Sequence, residues 1–402
     1  MEINIKKKEN LHPPQRLPME YVAYGAVAVG AIVTLTVFST DYLSNYFSSP
    51  LVVALRSLGS AAGTTTTTLN QHSFYVVVDA LKETTSGACT ALPSPSDPTS
   101  LGGQHDETAI VETILSTEKF DPADPTFLTM LPQLQKIVHG LCLEATACAN
   151  FEELRQVSFD NNNALHQDML ESLWEQLCPG VSREPEVAAL ARAGSLDDAA
   201  KTIATRKSKS WGRIGFQGLD PVTDLRGMGL LGLLHLVHFA RTRHSRTVLE
   251  WSQAPVNGPE VKFFPFACAS IQITNFVLQL ARERLLGHVM ILGMERDAHL
   301  SGVRVADVSA DTAERRMKQL VAEVCGGTGM MLLPSDLVWQ SMTVLNDIHT
   351  EIFILLGEEW QRVNPPDVMS FPSIMKQVEK NVREALMVGG DGGGSLKIRW
   401  RE

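Results

Sequence analysis

The sequence has no Cys-x-x-Cys pair, no zinc-finger spacing and no Asn-x-Ser/Thr acceptor. The first two absences exclude a zinc module or a dithiol redox site, because both need closely spaced thiolates. The six cysteines (Cys89, Cys142, Cys148, Cys178, Cys268, Cys325) are scattered, several of them inside apolar helical patterns. They read as small hydrophobes in a reducing compartment. Positive charge is short as well: 35 Lys and Arg face 45 Asp and Glu, a net charge of −10. General nucleic-acid binding needs a basic footprint and is excluded, while local basic patches stay open. The run GGTGMM at Gly326 to Met331 lacks the Lys-Ser/Thr of a phosphate-binding loop, so the chain is not itself a nucleotidase. Strand pairs joined by hairpin turns are missing, and so is any repeat with a period of about 20 to 50 residues.

What is present is a chain that is 44% hydrophobic and 20% charged, enough to bury a full core and too long for one ordinary domain. Apolar residues recur at three- and four-residue spacing through ETAIVETILSTEKF, from Leu128 to Glu153, and then almost continuously. This periodicity predicts an all-α fold, with helices over 164–178, 185–206, 225–243, 245–253, 266–287, 311–325, 335–359 and 371–388. The Thr, Ser, Pro and Gly composition of 84–107 cannot bury enough apolar surface to order itself and is expected to be a linker.

Residues Tyr21 to Thr40 form an uncharged run behind Lys6, Lys7, Lys8 and Arg16. About 20 apolar residues are just enough to cross a bilayer as a helix. The run is longer than a signal-peptide core and no small-x-small cleavage pattern follows it, so an uncleaved anchor is expected, with a buried helix as the alternative. The basic flank predicts a cytosolic N-terminus and a non-cytosolic body. Insertion into the mitochondrial outer membrane would leave the body in the cytosol instead.

The densest pattern is WGRIGFQGLDPVTDLRGMGLLGLLHLVHF, Trp211 to Phe239, in which a polar loop runs into a glycine-studded apolar helix. Gly218, Asp220 and Pro221 supply turn chemistry, and Thr223 and Asp224 are expected helix caps. Trp211, Ile214 and Phe216 are expected to anchor the loop by packing. Gly227, Gly229 and Gly232 would admit a neighbouring backbone. Arg226 stands at the junction, and two readings are open: a cationic group for work on phosphates, or an ion pair with Asp220 or Asp224. Gln217 and Asp220 flank it, either as partner contacts or as backbone ties. His235 and His238 lie on one helical face without a third ligand, so no metal is expected.

Basic residues gather at Lys201, Arg206, Lys207, Lys209 and Arg213, and again at Arg241, Arg243, His244 and Arg246. They form either a solvated face or a docking surface for an acidic protein or anionic lipid.

The pattern WxxIGFQxxDPxTDxRGxGxL at Trp211 to Leu231 resembles the signature of the ELMO domain family. LESLWEQLCP at Leu170 to Pro179, PFACASIQIT at Pro265 to Thr274, and Leu337 to Trp360 resemble further landmarks of the same family. The resemblance implies a multi-helix ELMO domain over 160–390. Ahead of it come a basic tail (1–18), a transmembrane anchor (19–40), a low-complexity linker region (41–108) and a helical extension (109–159), and a flexible tail (391–402) follows. It further implies a GTPase-activating role toward Arf or Arf-like small GTPases, with Arg226 as the catalytic arginine finger and Gln217, Asp220, Asp224 and Arg213 contacting the partner. Gly215, Pro221, Thr223, Gly227 and Gly229 would be structural parts of the motif. No cofactor of its own is implied, since the partner brings GTP and Mg²⁺. A non-catalytic adaptor holding a GTPase or an exchange factor is the alternative, and a membrane receptor with a luminal body a third. The chain departs from the family pattern at Leu225, His235 and His238, where Phe, Asn and Tyr are more usual, and these changes bear on partner preference.

Overall fold

Helices need an apolar stripe to bury and a way to satisfy their end groups, and the segment after Asp160 supplies both. The computed structural model describes residues 54–55, 71–83, 107–117, 127–183, 206–253, 263–293, 312–325 and 335–388. Asn163 caps the helix Ala164–Leu177, its side chain accepting from Leu165 N at 2.9 Å and His166 N at 3.4 Å. Leu165, Met169, Leu170, Leu173, Trp174 and Leu177 then turn one face inward.

In chain order the described helices are α1 (Gln71–Glu83), α2 (Glu107–Thr117), α3 (Phe127–Gln156), α4 (Ala164–Leu177), α5 (Val222–Leu225) and α6 (Gly229–Ala240). They continue as α7 (Ser245–Gln253), α8 (Phe266–Arg282), α9 (287–293), α10 (Thr312–Cys325), α11 (Ser335–Val363) and α12 (Phe371–Val388). Every regular element among the described residues is helical. Among them no helix is long and apolar enough to cross a membrane. The expected anchor at Tyr21 to Thr40, the expected linker at 84–107 up to Glu107, and most of the expected helix 185–206 lie outside the described residues, and Glu107 itself opens α2.

All twelve residues of α6 are buried, and the helix is packed by α3, α4, α8 and α11. A helix apolar on every side belongs at the centre of a bundle, and each of its leucines contributes about 2 kcal/mol by leaving water. A second, smaller core joins α1 and α2 to the first half of α3, with Ile291 of α9. The helix α3 takes part in both: Ile137 and Leu141 lie in the small core, and Phe151 and Leu154 in the large one. The helix α3, which lies wholly within the extension expected over 109–159, therefore packs into both cores. At its far end α11 stops at Asn364, whose φ of 50° is the left-handed geometry of a helix terminus, and Pro365 follows.

Candidate functional site

The signature loop is nailed down at its start by a buried indole. Trp211 is 0% exposed, donates its Nε1–H to Arg206 O at 2.8 Å, and meets Trp174 and Phe216 edge to face at 5.4 and 5.7 Å. The Arg183 guanidinium covers the indole at 4.5 Å. Ile214 and Phe216 are buried beside it. The 3-10 helix Lys209–Ile214 carrying this anchor closes at Gly215, at a φ of 79°. A Cβ there would run into the Phe266 backbone N and lie 2.7 Å from Pro265 C, so only glycine lets the loop lie on the start of α8.

The middle of the loop turns on Asp220. Its Oδ1 accepts from Arg206 Nε at 2.9 Å and from Val222 N at 3.1 Å, and its Oδ2 accepts from Arg206 Nη2 at 2.8 Å. The remaining Arg206 nitrogen, Nη1, donates to Asn161 Oδ1 at 2.7 Å. Arg206 is only 3% exposed. Two expectations change here. Asp220 faces inward and is taken up by an ion pair rather than offered to a partner, and Arg206 belongs to the interior rather than to a basic surface cluster. The ion pair of the loop is thus Arg206–Asp220, with no part for Arg226.

The expected caps also differ. Pro221 precedes α5 and has no polar side chain to cap it, and Val222 N is taken up by Asp220 instead. Thr223 donates its hydroxyl to Asp220 O at 2.8 Å, which tightens the turn. Asp224 Oδ2 accepts Gln217 N at 2.7 Å and the Cys268 thiol at 3.9 Å, stitching the loop to α8. Burial first, and then the Asp224 carboxylate, push the Cys268 thiol up to about 12. Asp224 is therefore a loop clasp and not a helix cap, and this internal bond competes with the partner contact expected of it.

The helix expected over 225–243 is broken. After the single turn of α5 the chain makes a tight turn through Arg226, Gly227 and Met228, and α6 starts at Gly229. Gly229 has a φ of 51°, and a Cβ there would strike Arg155 O and lie 2.5 Å from Val157 O. Leu230 N donates to Val157 O at 3.0 Å, so the end of α3 docks on the start of α6. Gly227 is the opposite case: among the described residues nothing lies within 4 Å of where its Cβ would be. At Gly232 a Cβ would meet side chains alone, tightly at Met228 Cβ (3.3 Å) and in ordinary contact with Ile271 and Leu225 (3.5 Å). Of the three glycines expected to admit a neighbour, only Gly229 does so through backbone.

Arg226 is exposed in this break. Its Nε donates to Thr223 O at 2.9 Å, which fixes the root of the guanidinium. Among the described residues Nη1 and Nη2 have no hydrogen bond or ion pair. Gln217, Arg213 and Gly227 are exposed as well. On the side of the loop marked by Gln217 a groove of about 620 Å³ opens between the 3-10 helix and the approach to α8. Its walls include Lys209, Arg213, Phe216, Gln217, Phe263 and Phe264.

His235 and His238 face different partners. His235 Nδ1 pairs with Thr274 Oγ1 at 2.9 Å, and its ring lies 4.4 Å from that of His349. His238 Nε2 pairs with Asp347 Oδ1 at 3.0 Å. Burial holds His235 well below the usual imidazole range and brings His349 down to about 3, so both are neutral. Among the described residues no group of three or more His, Cys, Asp or Glu converges as a metal site.

Sequence reasoning missed the Arg206–Asn161 support, the exposed Phe263 and the partnership of His349. Arg206 had one visible signal, its place shortly before the Trp anchor. Nothing local singles out Asn161, which lies 45 positions from the arginine it holds.

Among curated proteins the chain is 36% identical over 255 residues to ELMO domain-containing protein B of Dictyostelium discoideum, covering 63% of this chain and 66% of that protein. It is 34% identical to ELMO domain-containing protein 2 of Mus musculus over 34% of this chain and 38% of that protein. With ELMO domain-containing protein 1 of Homo sapiens it shares 34% identity over 32% of each chain. The match spans less than two thirds of each of these relatives. No solved structure matches. The model of the ELMO/CED-12 family matches residues 149–375, taking in the end of α3, the Trp211 loop, Arg226 and the helices that bury α6, and the chain belongs to that family.

Proposed function

We propose that the chain is a GTPase-activating module for a small GTPase of the Arf or Arf-like class, to which it lends Arg226. The observation that carries this reading is a guanidinium rooted by one bond to Thr223 O, exposed, and without an acidic partner among the described residues. Such a group can enter another protein's nucleotide site and neutralise charge on the phosphoryl group as water attacks it, an effect worth about 10³ to 10⁵ in rate. The partner supplies GTP and Mg²⁺, and this chain supplies the cation and its rigid support. Tyr21 to Thr40 would tether the module to a membrane, with the helical body facing the cytosol. Single-turnover GTP hydrolysis by a panel of Arf-class GTPases, with wild type, Arg226→Ala and Arg226→Lys, tests the reading. Acceleration by wild type alone supports it, whereas equal rates for all three leave an adaptor that binds without catalysis.

A further inference from the structure

We propose that the groove between the 3-10 helix Lys209–Ile214 and the residues leading into α8 docks an acidic segment of the small GTPase that carries a protruding apolar side chain. The inference rests on the reading of the chain as a GTPase-directed module and adds how that partner is held.

Three observations carry it. The first is charge. The chain has more Asp and Glu than Lys and Arg, yet among the described residues the charged side chains lining the groove are Lys209 and Arg213. A site of that sign within a net-negative protein selects an acidic segment. The second is its apolar floor. Phe263 is 47% exposed while Phe264 and Phe216 beside it are buried, so an aliphatic or aromatic side chain entering the groove would remove aromatic surface from water. The third is position. Gln217 lines the groove, and its backbone N–H is bonded to Asp224, two residues before Arg226. One hydrogen bond and two residues of chain therefore separate the groove from Arg226, and a single partner can span both.

A volume of about 620 Å³ accommodates one or two side chains rather than a whole helix. The groove thus acts as a clamp on one point of the partner, with the rest of the contact spread around Arg226. Because the cations lie at the rim, they set encounter rate and orientation and are weakened by salt, while the phenylalanine sets residence time.

The test compares the full chain with Lys209→Glu/Arg213→Glu and with Phe263→Ser, measuring binding to Arf-class GTPases loaded with a non-hydrolysable GTP analogue at several salt concentrations. All three altered residues are exposed, and melting curves check that each variant is folded. The expected result is a dissociation constant raised about tenfold or more for both variants, with the salt dependence flattened only in the charge reversal. Arg226→Ala is the contrast: it lowers the hydrolysis rate at saturation and changes binding less than either groove variant. Wild-type binding without accelerated hydrolysis removes the finger reading, yet loss of that binding in the groove variants upholds the docking site. Groove variants that bind like wild type overturn it. So does a loss confined to vesicles containing anionic lipid, or to self-association seen by sedimentation, with GTPase binding intact. A wild-type chain that binds none of the GTP-form partners overturns both readings.

Discussion

Arg206 grips Asp220 through two parallel bonds of 2.9 and 2.8 Å at the base of the loop that presents Arg226. From there the connection is unbroken: Asp220 O accepts the Thr223 hydroxyl, and Thr223 O accepts Arg226 Nε. One arginine is buried and spent so that another can be exposed and idle. The same residue type at two positions of one loop thus does opposite jobs, and only burial separates them.

Removing one member of that pair leaves a charge uncompensated in the interior. Arg206→Met is expected to destabilise the fold by about 3 kcal/mol or more, measured by urea unfolding. Asp220→Asn should cost less, since an amide still accepts from Val222 N. The double variant Arg206→Met/Asp220→Leu should fall short of the sum of its single changes, because the two side chains act as one unit.

Arg226 behaves in the opposite way. Arg226→Ala should leave the urea midpoint nearly unchanged, within about 0.5 kcal/mol, because the side chain covers no core. In the same preparation the stimulated single-turnover GTP hydrolysis should fall by about 10³ or more. Lysine should not restore it, lacking the planar fork.

The glycines of the motif separate cleanly. Gly215→Ala and Gly229→Ala place a Cβ against backbone at a positive φ, and each should cost about 2 kcal/mol or more in thermal or urea unfolding. Gly227→Ala meets nothing within 4 Å among the described residues and should be close to neutral. Equal losses at all three would contradict the geometry.

Acid should unfold the protein through α6 and α11. His235 and His349 are neutral in the fold, the second with a pKa of about 3, so the unfolded chain binds more protons below the ordinary imidazole value. Their contribution is complete above about pH 6.5 and is lost as pH falls below it, at up to about 1.4 kcal/mol per pH unit for each ring. Urea unfolding between pH 7.5 and 4.5 should show this slope, and His235→Asn should reduce it by one proton.

The helical class and most helix boundaries were legible because the apolar spacing is regular: α4, α7, α10 and α12 fall within a residue or so of the spans expected for them. The break at Arg226 to Met228 was not, because Gly227 and Gly229 look alike in sequence and differ only in what surrounds them. Trp211 and Phe216 announced themselves as apolar residues in a polar loop. Asp220 pointed both ways, since an aspartate before proline caps turns as readily as it binds partners. Its true role needed Arg206, 14 positions away, and that is tertiary information. The groove was equally hidden, for Phe263 reads as one more core aromatic until its exposure is known.

The helix α3 is 30 residues long, begins in the small amino-terminal core, and ends with Val157 O bonded to Leu230 N. A rod of that length spans about 45 Å. Past its end the backbone lies against Gly229, three residues beyond the exposed guanidinium, so the arginine is presented from a frame that both cores share.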